Sequence, residues 1–480
     1  MIEVTLIDIP VKCRSVDSGF RKVLEKSLKA QELLYINKFP EARLLRNKRQ
    51  FSRGVLSLLA HLLSGGVKAS YFSYGQNRER EILAAVRESR FVGINAMTVT
   101  YTAAIRLLAR IKDENPAVIT ILGGSHPTYC ADECLENDAV DFVVRGAGEN
   151  PLRRLIEEYP DVGGIAGLSY KTEDKKVRHN KLEANVDRAN ILPAYDRLPA
   201  PLDEYKINLA VGDGCPFRCT FCTDWRRCRR LTLFDPETVT RELLYLKVHL
   251  PEFEVMQFFD SVFTWNPEQV KAVCRIIRDK NIRFRFLCDT VPAAVNQEIV
   301  EILASAGFIG IKLGVETDRN DILKVLHKPH TLNDFIRAAD IIHEYSDALV
   351  TAYWMSGLPG SDAYSMRHTA GLIRDLMNDG VIDVLSHKLF IPYPGTDVFE
   401  RPGNYSGRIA GCDWDSYDRM AGKPVYVTDG FESLNWVDYF TQIEQTALNA
   451  YCRRLGLSED DLDNYDNVSS YKYGYCKIEI

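Results

Sequence analysis

The chain lacks an apolar run of the roughly 18 residues needed to span a bilayer. Its start, MIEVTLIDIPVKC, has no basic stretch followed by an apolar one, so no secretory signal is read there and a cytoplasmic location is expected. Basic residues are not in excess. Lys and Arg number 60 against 66 Asp and Glu, a formal net charge of −6, which argues against a general electrostatic grip on nucleic acid or on an anionic membrane. No internal repeat and no low-complexity tract is visible. The cysteines do not form a dense framework either: 12 are spread over 480 residues, unlike a small secreted disulfide scaffold. One group alone is tight, Cys215, Cys219 and Cys222, with Cys228 nearby.

What is present is an ordinary globular composition, 46% hydrophobic and 26% charged, in a chain long enough for two or three domains. The first part alternates β-branched runs (IEVTLIDI, VKASYFSY, FVGINAM, AVITILGG, DFVVRG) with helical patterns such as GVLSLLAHLL, TAAIRLLARIKDE and PLRRLIEEY. That alternation predicts a parallel sheet covered on both faces, with ligands at the carboxyl ends of its strands. Those ends carry Asn95 to Thr100, Gly123 to Thr128 and Gly146 to Glu149.

Residues 173–206 are polar, with three prolines late in the run, and read as a linker. A second alternation follows. Six strand candidates (INLAVGD, VMQFFD, RFRFLCDT, IGIKLGVE, ALVTAYWMSG, DVLSHKLFIP) separated by helical patterns predict a partial (β/α)6 barrel over 207–395, with function at the strand ends. The fold class expected is therefore α/β: a Rossmann-like domain over 1–172, the linker, the barrel, and a small, partly helical C-terminal region over 396–480.

The tight cysteines lie in VGDGCPFRCTFCTDW, between a strand and a helix-like segment. Three thiolates at CxxxCxxC spacing can hold three irons of a four-iron cluster and leave the fourth open. A zinc knuckle or an electron-transfer cluster is the alternative, with Cys228 available as a fourth ligand.

CxxxCxFC at the end of a first barrel strand resembles the signature of the radical S-adenosylmethionine (SAM) superfamily, and the resemblance covers 207–395. It implies a [4Fe–4S] cluster on Cys215, Cys219 and Cys222, an open iron for the amino and carboxylate groups of SAM, and reductive cleavage to a 5′-deoxyadenosyl radical. It also implies an adenine contact at the Phe221 backbone and a ribose contact at Glu316. Asp260 falls near the amino-acid end of SAM or in a structural role, and Gly357 and Leu358 fall near adenine.

In the first domain, Gly123-Gly124-Ser125-His126-Pro127-Thr128 and Arg145-Gly146-Ala147-Gly148-Glu149 resemble the paired turns of the cobalamin-binding domain in one radical SAM subfamily. The resemblance implies cobalamin over Asn95, Thr98, Gly123, Gly124, His126, Thr128 and Glu149, between the Asn95–Thr100 and Gly123–Thr128 turns. Ala147 stands where an acid is common, and no DxHxxG motif supplies a cobalt ligand.

The expectation is an enzyme that forms the 5′-deoxyadenosyl radical and abstracts a substrate hydrogen. The favoured reaction is cobalamin-dependent methyl transfer to carbon in natural-product or peptide tailoring. Rearrangement or dehydration without methyl transfer, for example on a sugar or nucleoside intermediate, is the alternative. A methylthiotransferase using Cys13, Cys130 and Cys134 is a further option, and a non-catalytic iron–sulfur or zinc protein a more distant one. The partners expected are a small-molecule or peptide substrate and an electron donor such as flavodoxin or ferredoxin.

Overall fold

A computed structural model describes residues 2–10, 17–43, 48–75, 79–182, 191–227, 231–411, 413–417, 424–428, 431 and 434–463. Cys13, Cys228 and the tail DNVSSYKYGYCKIEI lie outside the described residues. The chain divides into two compact units. No described helix is long and apolar enough to cross a membrane.

The first unit takes residues 1–12, 49–205 and 413–417. Its strands are β1 (Ile2–Asp8), β2 (Ala69–Ser73), β3 (Ser89–Asn95), β4 (Ile119–Gly123), β5 (Phe142–Val144), β6 (Leu168–Lys171) and β7 (Val177–His179). They form one sheet in the order β2-β1-β3-β4-β5-β6-β7, parallel through β5 and antiparallel beyond it. The order 2-1-3-4-5 is doubly wound, with its switch point between β1 and β3, so a crevice opens at their carboxyl ends. One core cluster joins Ile7, Val92, Ile94, Leu122 and Val143 from the sheet to Leu107, Leu108 and Ile111 of the helix Tyr101–Glu114.

The span expected to be a linker contains β7. A turn in which Thr172 N–H donates to Lys176 O at 2.9 Å, with Lys175 left-handed at φ +61°, returns the chain antiparallel to β6. Polar Val-Arg-His offers no hydrophobic alternation, so this edge strand is set by its pairing partner and not by its own pattern.

The second unit takes residues 13–48, 206–412 and 418–480. It holds β8 (Asn208–Leu209), the short antiparallel pair β9 (Gly212–Asp213) and β10 (Thr232–Leu233), then β11 (Val255–Phe258), β12 (Arg285–Thr290), β13 (Phe308–Glu316), β14 (Leu349–Ser356) and β15 (Val384–Leu389). All six expected barrel strands form, in the order β15-β14-β13-β12-β11-β8, and every pairing is parallel. The crossover helices begin at side-chain caps. Asp235, Asn266, Asn296, Thr331 and Asp362 each accept a backbone N–H of the following helix. Strand ends therefore feed loops of defined exit, and the chemistry sits on those loops.

The helix Ser18–Lys38 belongs to the barrel unit, not to the first domain where its position in the chain had placed it. It packs on the helix Trp436–Leu455: Phe20 meets Phe440 edge-on at 6.2 Å, and Ser27 donates to Glu444 at 3.1 Å. Its apolar face finds a partner more than 400 residues away, a pairing no local pattern announces.

Candidate functional site

The cysteine loop leaves β8 and turns at Gly214, whose φ is +95°. It is pinned from two sides: Thr220 N–H donates to Leu326 O at 3.2 Å, and Val398 N–H donates to Thr220 O at 3.3 Å. A tight turn bonds Cys222 N–H to Cys219 O at 3.1 Å, and Asp224 N–H points at Cys222 Sγ at 3.5 Å. Burial pushes the Cys215 thiol up, Cys219 to about 11 and Cys222 to about 12. The Lys328 ammonium works against that rise at Cys215 and Cys219. Iron must displace protons from these thiols, and a nearby cation lowers the cost.

The three thiols converge. Cys219 feels the charge of Cys215, and Cys222 feels the charges of both Cys219 and Cys215. Three thiols meeting on one short pinned loop fit a cluster held through three of its irons.

Glu316 ends β13 beside a register shift between Gly314 and Glu316 and is held left-handed at φ +69°. Such a backbone costs about 1–3 kcal/mol in a residue other than glycine and persists where surroundings enforce it. The register shift and the bond from Thr317 N–H to Val315 O at 2.9 Å frame that backbone, and Lys328 Nζ donates to Glu316 Oε1 at 2.8 Å, the two side chains being 5% and 10% exposed. Burial acts to lower the Lys328 ammonium, but Glu316 and the thiols of Cys219 and Cys222 outweigh it and hold the ammonium above its ordinary range. The ammonium also lies 5.7 Å from the centre of the Phe221 ring. Gly314 keeps room for the pair: a Cβ there would stand 2.8 Å from Glu316 Oε1 and 3.2 Å from Lys328 Nζ. Lys328 was missed by sequence reasoning, since it follows a short helix with no period or spacing to mark it.

Phe221 packs in one cluster with Leu358, Ile322, Leu326 and Met355. The structure thus brings together Cys219, Cys222, Phe221, Glu316 and Leu358. Gly357 answers to a different neighbour: at φ +81°, its missing Cβ faces Trp436 at 3.1 Å. Both oxygens of Asp260 accept Val211 N–H, at 3.1 and 3.2 Å, tying the end of β11 to the chain leaving β8.

In the first unit, Asp8, Asn95 and Gly123 sit at adjacent strand ends in the register Asp8↔Asn95↔Gly123. The two turns expected to flank cobalamin are closed on each other. Ala96 N–H donates to Gly123 O at 2.8 Å, His126 N–H to Ala96 O at 3.3 Å, and His126 Nδ1 meets Thr98 Oγ1 at 3.3 Å. They leave no slot between them, so a flat group would lie over them. Thr128 joins the third turn: its Oγ1 donates to Gly124 O at 2.7 Å and accepts Gly146 N–H at 3.0 Å.

His126 is 1% exposed, tilted over Tyr101 at 4.2 Å and edge-on to Trp414 at 4.8 Å, and burial pushes it down to about 4. It is a buried neutral ring under the turn. Glu149 is buried in the first turn of the helix Glu149–Glu158. Gly124, at φ +111°, would place a Cβ 2.5 Å from Ala96 O, whereas a Cβ on Gly123 meets nothing closer than Val144 O at 3.8 Å. The expectation that both glycines admit the macrocycle is thus narrowed. Gly124 is demanded by the fold, and only Gly123 could carry a Cβ without a clash.

Residues 209–373 match the radical SAM superfamily, and residues 49–156 match the B12 binding domain. This chain is a radical SAM protein with a B12-binding domain. The radical SAM domain takes a [4Fe–4S] cluster and SAM, and the B12-binding domain takes cobalamin. Two curated relatives are similar to this radical SAM protein. An anaerobic magnesium-protoporphyrin IX monomethyl ester cyclase of Rubrivivax gelatinosus is 25% identical over 80% of this chain and 71% of its own. An uncharacterized methyltransferase of Pyrococcus horikoshii is 27% identical over 64% of this chain and 68% of its own. The solved radical SAM methyltransferase TsrM of Kitasatospora setae, with cobalamin and a [4Fe–4S] cluster bound, has the same fold. Its TM-score is 0.63 at 16% identity, over 92% of this chain and 82% of that one.

Proposed function

We propose that this radical SAM protein is a cobalamin-dependent methyltransferase acting on a carbon of a small molecule or peptide. The observation that carries the reading is the pairing, on one chain, of the pinned cysteine loop with a B12-binding sheet whose strand ends present Gly123. The methyltransferase names of the Pyrococcus relative and of TsrM support it. When bound, the cluster supplies one electron that breaks a carbon–sulfur bond of SAM, giving the 5′-deoxyadenosyl radical and methionine, and cobalamin supplies a methyl carrier.

The chain's residues do the positioning. Cys215, Cys219 and Cys222 hold three irons. Glu316, oriented by Lys328, accepts from the ribose hydroxyls. Phe221 and Leu358 form an apolar wall for adenine, and Asp260 braces the loop. Asn95, Thr98, Gly123, Gly124, His126, Thr128 and Glu149 build the floor for cobalamin, with Thr98, Gly124, His126 and Thr128 acting through the shape of the turns. A flavodoxin or ferredoxin delivers the electron.

The cyclase relative favours a second reading, the same radical without methyl transfer. Anaerobic incubation of the reconstituted protein with SAM, a low-potential reductant and its substrate, with and without cobalamin, separates the two. Methyl transfer yields S-adenosylhomocysteine together with 5′-deoxyadenosine, only when cobalamin is present. 5′-Deoxyadenosine without S-adenosylhomocysteine overturns methyl transfer and leaves the second reading.

A further inference from the structure

Inside the barrel unit lies a polar layer outside the residues assigned above to the cofactors. Alternation along β13 puts Lys312 and Gly314 on one face, and beyond the register shift the Glu316 carboxylate reaches the same side, 2.8 Å from where a Cβ on Gly314 would stand. Lys312 Nζ donates to Gln257 Oε1 at 2.9 Å, Gln257 Nε2 donates to Asp289 Oδ2 at 2.6 Å, and Tyr353 OH donates to Asp289 Oδ1 at 2.9 Å. Gln257 is on β11 and Lys312 on β13, with β12 between them; Asp289 on β12 and Tyr353 on β14 are likewise separated by β13. Side chains of non-adjacent strands meet only across the concave face, so this layer lines the lumen. Lys206, two residues before Asn208 and so on the same face, feels the charges of both Lys312 and Asp289.

The lumen is closed below. Val255 and Leu287 pack with Tyr35 and Phe39 of the N-terminal helix and its exit, and the bare Cα of Gly310 makes way for the Tyr35 hydroxyl, 2.7 Å from where a Cβ would stand. Above the layer, on the same side of β13, stands the Glu316 carboxylate.

The charges in this layer do not cancel. Both oxygens of Asp289 accept from neutral donors. Among the described residues, neither Lys206 nor Lys312 has a carboxylate within 4.0 Å, and Lys206 has no acceptor. Enclosure pushes Lys312 down and Lys206 down to about 8, yet both residues keep partial exposure, so they are not sealed in packed protein. One carboxylate, Asp289, acts on both enclosed ammonium groups and leaves one positive charge uncompensated, which an entering anion relieves.

We propose that Lys206 and Lys312 bind an anionic group of the substrate, a carboxylate or a phosphate, at mid-depth in the barrel. The proposal rests on the radical SAM reading and narrows its substrate to a small acid. With the floor shut by Tyr35 and Phe39, the rest of such a molecule extends toward the mouth, where Glu316 and the cysteine loop stand.

Lysine acylation by N-hydroxysuccinimide acetate, read by peptide mass analysis on the anaerobically reconstituted protein, tests this. The probes are inorganic phosphate and acetate, with chloride at equal ionic strength as the control. About 20 mM of a bound anion with a Kd near 2 mM should slow labelling of Lys206 by about tenfold. Lys176, whose side chain is 82% exposed, reports any general effect. Protection by phosphate alone assigns a phosphate group; protection by acetate, with or without phosphate, assigns a carboxylate-sized site. Lys312→Met should remove the protection and Lys312→Arg should keep it. Unchanged labelling of wild-type Lys206 in both anions overturns the proposal, as does protection that survives Lys312→Met. The wild-type reading does not depend on any variant folding. 5′-Deoxyadenosine formation by the wild-type protein with SAM and reductant alone is measured separately. Its absence sinks the radical reading and leaves the anion result standing.

Discussion

Lys328→Met isolates the contribution of the buried ion pair at the end of β13. The pair is 2.8 Å apart with both side chains at most one-tenth exposed, so solvent does little to screen it. Removing the ammonium leaves the Glu316 carboxylate enclosed without its partner, a change that typically costs about 3–5 kcal/mol. It also frees the Glu316 carboxylate from the bond that orients it. The double variant Lys328→Met/Glu316→Gln removes both charges and should recover most of that loss. Urea unfolding of the reconstituted protein, followed by cluster absorbance, reads stability around the cysteine loop. Equilibrium dialysis reads SAM affinity. The expected order of stability is wild type, then the double variant, then Lys328→Met. SAM affinity should fall in both, because Glu316→Gln alone weakens a charge-assisted contact by about 1–3 kcal/mol. A Lys328→Met variant that loses less than about 1 kcal/mol, or a double variant no more stable than the single one, would refute the reasoning.

Replacing Cys215, Cys219 or Cys222 by Ala should remove bound iron and abolish 5′-deoxyadenosine formation, while Cys228→Ala should retain both; product formed by the triple variant would sink the cluster assignment. Gly123→Ala should fold normally, since its Cβ meets nothing within 3.8 Å, and should weaken cobalamin uptake without changing the cluster spectrum. Cobalamin affinity equal to wild type would remove Gly123 from the site. Gly124→Ala, whose Cβ would strike Ala96 O at 2.5 Å, should instead cost at least about 2 kcal/mol in folding and report nothing clean about the cofactor. His126 is held near 4 in the fold against about 6.5 unfolded, so the unfolded state binds the extra proton between those values. Its contribution is complete above pH about 6.5 and fades as pH falls toward 4, at about 1.4 kcal/mol per unit. His126→Phe, which keeps a ring against Tyr101 and Trp414, should therefore lose about 2 kcal/mol less than wild type between pH 6.5 and 5. Matching unfolding curves at both pH values would remove His126 as the source.

Much of this protein was legible in one dimension because its chemistry is local. Three cysteines within eight positions after a strand imply a cluster loop whatever surrounds them. The alternation of β-branched runs with helical periods implies parallel sheets with function at the strand ends, since that follows from how such units connect. Tertiary structure alone decided which groups meet across the sequence. Lys328 faces Glu316 because a short helix returns over the mouth of the barrel. The helix Ser18–Lys38 joins the barrel because its apolar face matches Trp436–Leu455. Gly124 and Gly123 are neighbours in the chain, yet a Cβ on Gly124 would collide with Ala96 O, while one on Gly123 would meet only Val144 at ordinary contact distance. Lys206, Gln257, Asp289, Lys312 and Tyr353 come from five separate stretches, and no pattern links them until the sheet curves and its concave side brings them into one layer.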